Sequence, residues 1–230
     1  MRGGLRGTLG RPGEVEMLLV RDSMTRELVT VGPETTAAEA LALCREDRIR
    51  HLPVLERGRL VGVISDRDLR AAIPALGDPA RVEALQRVRV AGEMTRDAVT
   101  ARPEDPIEDA AMMMYERKIG CLPVVDGEGL VGIVTSSDVL RALVRLVGAP
   151  KPGSRLEGAL PGRSGSLAEV TGIIRDRGVD VVSVLASSEH EDEEGERVAV
   201  LRVGTIDPKE LVESLSAAGY RILWPTAEPT

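Results

Sequence analysis

A chain of 230 residues with 43% hydrophobic and 29% charged side chains has an ordinary globular composition, long enough for one large domain or two smaller ones. A net charge of −7 argues against non-specific binding to DNA, RNA or an anionic membrane, and no run approaches the ~18 apolar residues of a membrane span. Aromatics make up 1% and Phe is absent, so the core is aliphatic; Cys44 and Cys121 lack the partners of a zinc site and point to a reduced, cytoplasmic setting.

Residues 1–16 are rich in Gly and Arg and lack the apolar stretch of a signal peptide, so they read as a disordered lead-in, with Met17 a candidate natural start. Beyond them the chain repeats itself. Shifted by 70 positions, residues 20–70 align with 90–140 without a gap: Met24-Thr25-Arg26 on Met94-Thr95-Arg96, Leu52-Pro53-Val54 on Leu122-Pro123-Val124, Leu60-Val61-Gly62 on Leu130-Val131-Gly132, and Asp68 on Asp138. In each copy a turn at Pro33 or Pro103 leads into a helix. Thr36 and Glu39 form a capping box in the first copy; in the second, Asp105 is the expected N-cap, with Pro106 at the first helical position and Glu108 completing the box. Ala37, Ala40, Leu41 and Cys44 follow at helical spacing, and Met112 to Met114 are expected in the second copy's core. Two β-branched runs at 51–55 and 60–64 flank a turn at Gly58, and a second helix is expected from Ser65 through Leu69 and Ile73. Neither copy buries its apolar faces alone, so the two are expected to pack as a pair.

Each copy ends in a hydroxyl and a carboxylate three residues apart, Ser65 with Asp68 and Thr135 with Asp138, at a strand-to-helix junction. Two readings stand side by side. A capping box needs this spacing for structural reasons alone and is worth about 1 kcal/mol. A ligand site also fits, because helix N–H groups and a hydroxyl suit a phosphate, and a carboxylate's two acceptor oxygens suit the paired hydroxyls of a ribose.

The repeated pattern MT…P…I-x-x-L-P-V…L-V-G…[ST]-x-x-D resembles the CBS domain, and two copies in tandem resemble a Bateman module. Within that family the segments ISDRDLR (64–70) and KIGCLPVVD (118–126) are similar to AcuB-type acetoin-utilisation proteins. The resemblance implies Asp68 and Asp138 for ribose, Ser65 and Thr135 for phosphate, and ligand contacts from Thr30 and Thr100. It implies that 49–53 and 119–123, which include His51, Pro53, Cys121 and Pro123, flank the base. Arg67 would add a charge-assisted contact that Ser137 cannot supply in the second copy. His51, opposite Cys121 in the alignment, suits packing or a base contact, and the cysteines suit burial. The implied ligand is an adenine nucleotide: AMP or ADP is favoured by the lack of a basic cluster in the sequence, and ATP, NADH and S-adenosylmethionine remain open. No P-loop, metal spacing or nucleophile–base pair supports turnover, so no catalytic residue is assigned and a sensor without an enzyme is expected.

Residues 150–153 (PKPG) break the preceding helix and form the expected linker between a CBS pair over 17–149 (copies 17–80 and 81–149) and a further domain over 154–226. That domain reads strand 155–160, helix from a Ser166 cap with Glu169 and an apolar face of Leu167, Val170 and Ile174, strands 179–185 and 196–203, helix from Asp207-Pro208 to Gly219, and strand 220–224. The order is that of a ferredoxin-like βαββαβ unit, and the loop before the helix resembles the ACT domain. Gly165 and Leu167 match that loop, whereas Gly162 and Ser164 stand where the family's Asp and Pro belong. An amino-acid effector or dimerisation alone is therefore implied. The acidic run 189–196 reads as a solvated hairpin loop rather than a calcium site. The expected class is α+β: two CBS-type repeats packed as a pair, then an ACT-like domain. Expected partners are an adenine nucleotide, a second copy and an unidentified target protein, with no nucleic acid and no membrane. A dimerisation scaffold with empty sites and an amino-acid sensor working through the ACT-like part are the alternatives.

Overall fold

The computed structural model describes residues 18–127, 129–149, 151–191 and 196–225. The expected lead-in, Met17, Pro150 of the linker, residues 192–195 of the acidic run and residue 226 lie outside them. The chain divides into two compact units, Met1–Leu140 and Arg141–Thr230.

In the first unit the chain runs α1 (Val20–Ser23), α2 (Ala37–Glu46), β1 (His51–Glu56), β2 (Arg59–Ser65), α3 (Asp66–Ala71), α4 (Ala80–Arg87), α5 (Val90–Glu93), β3 (Thr95–Arg96), α6 (Ile107–Arg117), β4 (Cys121–Asp126) and β5 (Gly129–Thr135), and α7 (Ser136–Leu146) continues into the second unit. The duplicated order is present, and the copies interlock by exchanging their leading segments. Thr25 of the first copy bonds both ways with Ile133 of the second, while β3 of the second pairs with β2 of the first at Thr95 and Val63. The first helical N–H of α2, on Ala37, donates to the Val88 carbonyl at 2.9 Å, and that of α6, on Ile107, donates to Leu18 at 2.8 Å. Each copy thus satisfies donors that the other copy's helix leaves open. Val54, Ile64, Leu69, Val90 and Met94 belong to one buried cluster, which spans residues of both copies.

Local chemistry explains most element boundaries, and its exceptions are informative. Thr36 caps α2 as expected, accepting from the Glu39 N–H at 3.2 Å while the Glu39 carboxylate takes the Thr36 N–H at 2.8 Å. Asp105 does not cap α6. Its carboxylate accepts the Arg102 N–H at 2.7 Å in the preceding turn, and Pro106, whose side chain carries no acceptor, is the N-cap, so no side-chain cap or box with Glu108 forms. Ile73 is buried but lies beyond α3, which ends before Pro74 because the residue ahead of a proline disfavours the helical region. Met114 is buried, whereas Met112 is 56% exposed on the outer face of α6.

In the second unit, β6 (Ser154–Leu160), α8 (Ser166–Asp176), β7 (Val181–Glu191), β8 (Arg197–Val203), α9 (Lys209–Ala217) and β9 (Ile222–Trp224) build an antiparallel sheet in the order β7-β8-β6-β9, the ferredoxin-like arrangement expected. Ala199, Leu201 and Val203 turn inward with the strand's two-residue period and meet Val170, Ile174, Leu211 and Leu215 from the helices. The end of α7 is tied to this sheet: Ser183 donates to the Val147 carbonyl at 2.8 Å, and Arg202 donates to Ala149 and Lys151 at 3.1 and 2.9 Å. Three expectations are corrected. Ser166 is not the cap of α8; Gly165, at φ 92°, takes that place, and the Ser166 hydroxyl donates back to Pro161 and Arg163. Leu167 is 39% exposed and faces away from the core. The acidic run starts inside β7, since Glu191 pairs with Arg197, so it is not all loop.

Candidate nucleotide site

At the end of β2 the chain leaves the extended region at Ser65 and enters α3. The Ser65 hydroxyl accepts the Asp68 N–H at 3.2 Å and donates to Asp68 Oδ2 at 2.6 Å, and Oδ2 also takes the Ser65 N–H at 3.0 Å. At the second junction Thr135 and Asp138 repeat the pattern at 3.4, 2.6 and 3.0 Å. The capping role therefore operates in both copies. It also orients each carboxylate, because one oxygen is held by two donors. On Asp68 the other oxygen accepts no hydrogen bond among the described residues, which leaves it for a ligand hydroxyl.

Asp68 opens onto a cavity of about 500 Å³, inside the range typical of small-molecule sites. Its wall comes from both copies. The first supplies Arg50, His51, Ser65, Asp66, Arg67 and Asp68; the second supplies Thr95 and residues 97–99, together with Lys118, Ile119, Gly120, Cys121 and Pro123. Val99, Ile119 and Pro123 offer apolar surface for a flat base. Gly120 lets His51 in: a Cβ on Gly120 would lie 2.9 Å from His51 Nε2.

Six of the residues nominated from sequence, His51, Ser65, Arg67, Asp68, Cys121 and Pro123, share this cavity. Thr30, Pro53, Thr135 and Asp138 do not line it, and Thr100 lines a separate cavity of about 370 Å³ with residues 59–62. Pro53 is buried in β1, where its carbonyl accepts the Val31 N–H at 3.1 Å. Sequence reasoning missed Asp97 and Lys118, and it gave Arg50 no role of its own although the residue lies in the nominated segment 49–53. Lys118 is the C-cap of α6 in the left-handed region at φ 54°, and its counterpart Arg48, one residue past the C-cap of α2, adopts φ 56°. The expectation that no basic cluster forms is corrected, since folding brings Arg50, Arg67 and Lys118 to one cavity from three distant positions.

Burial, then the charge of Arg50, holds the His51 imidazole below the ordinary histidine range; Arg67 adds to this, and Asp66 and Asp68 pull the other way. Burial pushes the Cys121 thiol up to about 12, and burial with Asp66 pushes Cys44 to about 11. Both cysteines are free and buried, the inert state of a structural thiol. Among the described residues no group of three or more His, Cys, Asp or Glu side chains has metal-site geometry, and no helix is long and apolar enough to cross a membrane.

In the second unit the loop before α8 borders a cavity of about 180 Å³ lined by Pro161, Arg163, Ser164, Gly165, Leu167 and Arg197, while Gly162 stands outside it. Arg163 grips Glu169 through two bonds of 2.5 Å, and the Tyr220 hydroxyl donates to the same carboxylate at 2.6 Å. These contacts, Arg163 first and Tyr220 next, hold Glu169 down at about 2. The loop is thus anchored through Arg163 rather than through the missing aspartate.

Comparison with known proteins finds two domain types in the chain. The CBS domain model matches residues 20–75 and 88–145, and the ACT domain model matches 159–219. A CBS domain-containing protein of Dictyostelium discoideum is 36% identical over 143 residues, covering 60% of this chain and 99% of its own length. Among solved structures, a Vibrio cholerae protein provisionally assigned to acetoin utilization (AcuB) is 32% identical over 58% of this chain and 96% of that one, with a TM-score of 0.49. CBSX2, solved in complex with AMP, is 31% identical over 56% of this chain and 97% of that one, with a TM-score of 0.49. The chain belongs to the CBS-domain family, as a tandem CBS pair followed by an ACT domain.

Proposed function

We propose that this protein is a non-catalytic regulatory sensor that binds an adenine nucleotide in its CBS pair. One observation carries the reading: Asp68, pre-oriented by Ser65, sits in a cavity of about 500 Å³ lined also by apolar Val63, Val99, Ile119 and Pro123, by the cations Arg50, Arg67 and Lys118, and by the carboxylates of Asp66 and Asp97. A carboxylate suits the ribose diol, the apolar wall suits the base, and the cations suit phosphate. The ligand can shift the protein only by its differential affinity for two conformations, so a separate target protein reads the outcome. The reading includes homodimeric assembly, with exposed Met112 and Tyr115 on α6 as apolar surface for a second copy, and a cytoplasmic setting. The similarity of the segments 64–70 and 118–126 to AcuB-type proteins supports a target in acetoin or acetate metabolism.

Calorimetric titration of the full chain with AMP, ADP, ATP, NADH and S-adenosylmethionine tests the sensor. The Asp68→Ala variant is expected to lose about 10- to 150-fold in affinity, as for a hydrogen bond to a charged group worth ~1.5–3 kcal/mol. Asp138→Ala reports separately on the second junction. Absence of heat with every ligand would leave the scaffold reading. The cavity beside Arg163 and Arg197 supports a second reading, an amino-acid effector in the ACT domain, and amino acids added to the same titration series decide it.

A further inference from the structure

We infer that Asp97 reads the base of the ligand: its carboxylate accepts the 6-amino group of adenine at the strand end of the Asp68 cavity and disfavours a purine with a carbonyl at that position. The inference rests on the nucleotide reading above and deepens it, by naming the residue that sets the base preference.

Ser65, which holds Asp68, ends β2, and the strand leads back from there through Val63, opposite Thr95, to Gly62, opposite Arg96. Asp97 comes next along the chain. Its level is therefore roughly four strand residues from that of Ser65, about 13 Å at ~3.3 Å each. A nucleoside with a hydrogen bond at either end spans that distance. With the ribose on Asp68, the base lies along Val63, Val99 and Pro123, and its 6-substituted edge meets Asp97. Asp97 also borders the cavity of about 370 Å³, so an exposed carboxylate stands where the apolar wall ends.

Among the described residues nothing in the protein uses the Asp97 carboxylate. Its φ of 49° is left-handed, a conformation that aspartate tolerates because its short side chain can bond the backbone nearby. Asp97 makes no such bond among the described residues, and no ion pair. The other two carboxylates of the cavity are engaged: Asp66 faces Arg70 at 3.5 Å, and Asp68 is held by the Ser65 hydroxyl and N–H. Three cations, Arg50, Arg67 and Lys118, stand against these three carboxylates, so the lining has no excess charge and selection falls to the hydrogen-bond pattern. An ionised carboxylate only accepts hydrogen bonds, so it pairs with the amino group of adenine and repels the oxygen that replaces it in hypoxanthine. At the 70-residue offset the counterpart is Glu27, which has no positive φ, so the turn that sets Asp97 at its cavity is not repeated.

The test is calorimetric titration of the full-length protein with AMP and inosine monophosphate, which share ribose and phosphate and differ in the 6-substituent, alongside Asp97→Ala and Asp97→Asn. The wild type is expected to bind AMP at least about tenfold more tightly, as for a hydrogen bond to a charged group. Asp97→Ala is expected to bind the two alike. Asp97→Asn, whose amide donates as well as accepts, is expected to bind inosine monophosphate more tightly than the wild type does, a gain that a purely structural role would not produce. If neither variant folds, the 6-dimethylamino analogue of AMP, which lacks the amino hydrogens, carries the test and should bind the wild type no better than inosine monophosphate. Equal affinity of the wild type for AMP and inosine monophosphate, a preference that survives in Asp97→Ala, or an equal loss of both ligands in Asp97→Asn overturns the base reading and leaves the nucleotide site standing. No binding of either nucleotide by the wild type removes both.

Discussion

His51 shows how one side chain ties the cavity to pH. Its neutral ring rests over Gly120, and burial together with Arg50 and Arg67 keeps the proton off more strongly than in an unfolded chain, where histidine titrates near about 6.5. Below that value the unfolded chain takes up a proton that the native one resists, so native stability falls as pH drops and is unaffected well above it. Thermal denaturation between pH 7 and pH 5 should therefore show a falling melting temperature in the wild type and a shallower fall in His51→Gln. Equal slopes in the two proteins would remove His51 from this role. At this scale the sequence was legible where chemistry repeats at a short fixed spacing: Ser65 with Asp68 and Thr135 with Asp138 are capping pairs three residues apart. Arg50 and Lys118 were not legible as partners, because no local rule relates residues that lie so far apart in the chain.

Elements formed where local signals predicted them, and the misassigned ends have a common cause. Thr36 with Glu39, and Ser65 with Asp68, cap α2 and α3 because each hydroxyl stands at the N-cap with a carboxylate three residues on. At Asp105 the carboxylate is drawn into its own turn while a carbonyl from the other copy serves the helix, and at Ser166 a glycine of positive φ takes the cap and frees the hydroxyl to hold the loop. Capping strength is thus testable where the box forms. Ser65→Ala should lower stability by about 1 kcal/mol in urea denaturation, while Asp105→Ala should affect only its turn and cost less. A larger loss at Asp105 than at Ser65 would contradict the assignment. The ferredoxin-like order of the second unit was legible because alternating strands and glycine-ended helices follow in a short, regular sequence. The continuation of β7 into the acidic run was not, since the backbone pairing of Glu191 with Arg197 leaves no mark in the residue types.

In the first unit as a whole, the exchange of leading segments makes the two copies one folding partnership. At each crossing a glycine stands in close contact, with the partner backbone at Gly62 and chiefly with a methionine side chain at Gly132. A Cβ on Gly62 would lie 2.7 Å from the Thr95 carbonyl oxygen, and one on Gly132 would lie 2.6 Å from Met24 Sδ and 3.2 Å from the Thr25 carbonyl oxygen. Gly62→Ala should consequently cost about 1–3 kcal/mol in urea denaturation, the range for overpacking a close contact. Gly92→Ala, with open space around it, should cost nothing and serves as the control. A neutral Gly62→Ala would mean that the crossing is looser than its geometry implies.

The sequence by itself determined that the unit is duplicated, where its strands and main helices run, and which hydroxyl–carboxylate pairs recur, because those properties depend on periodicity and capping within a few residues. Only the tertiary structure decided that Asp68 of one copy faces the strand wall of the other, that His51 lies over Gly120, and that Arg50, Arg67 and Lys118 share one cavity. Those outcomes depend on the exchange of leading segments, whose backbone hydrogen bonds form between any residue types and so leave no signature in side-chain chemistry.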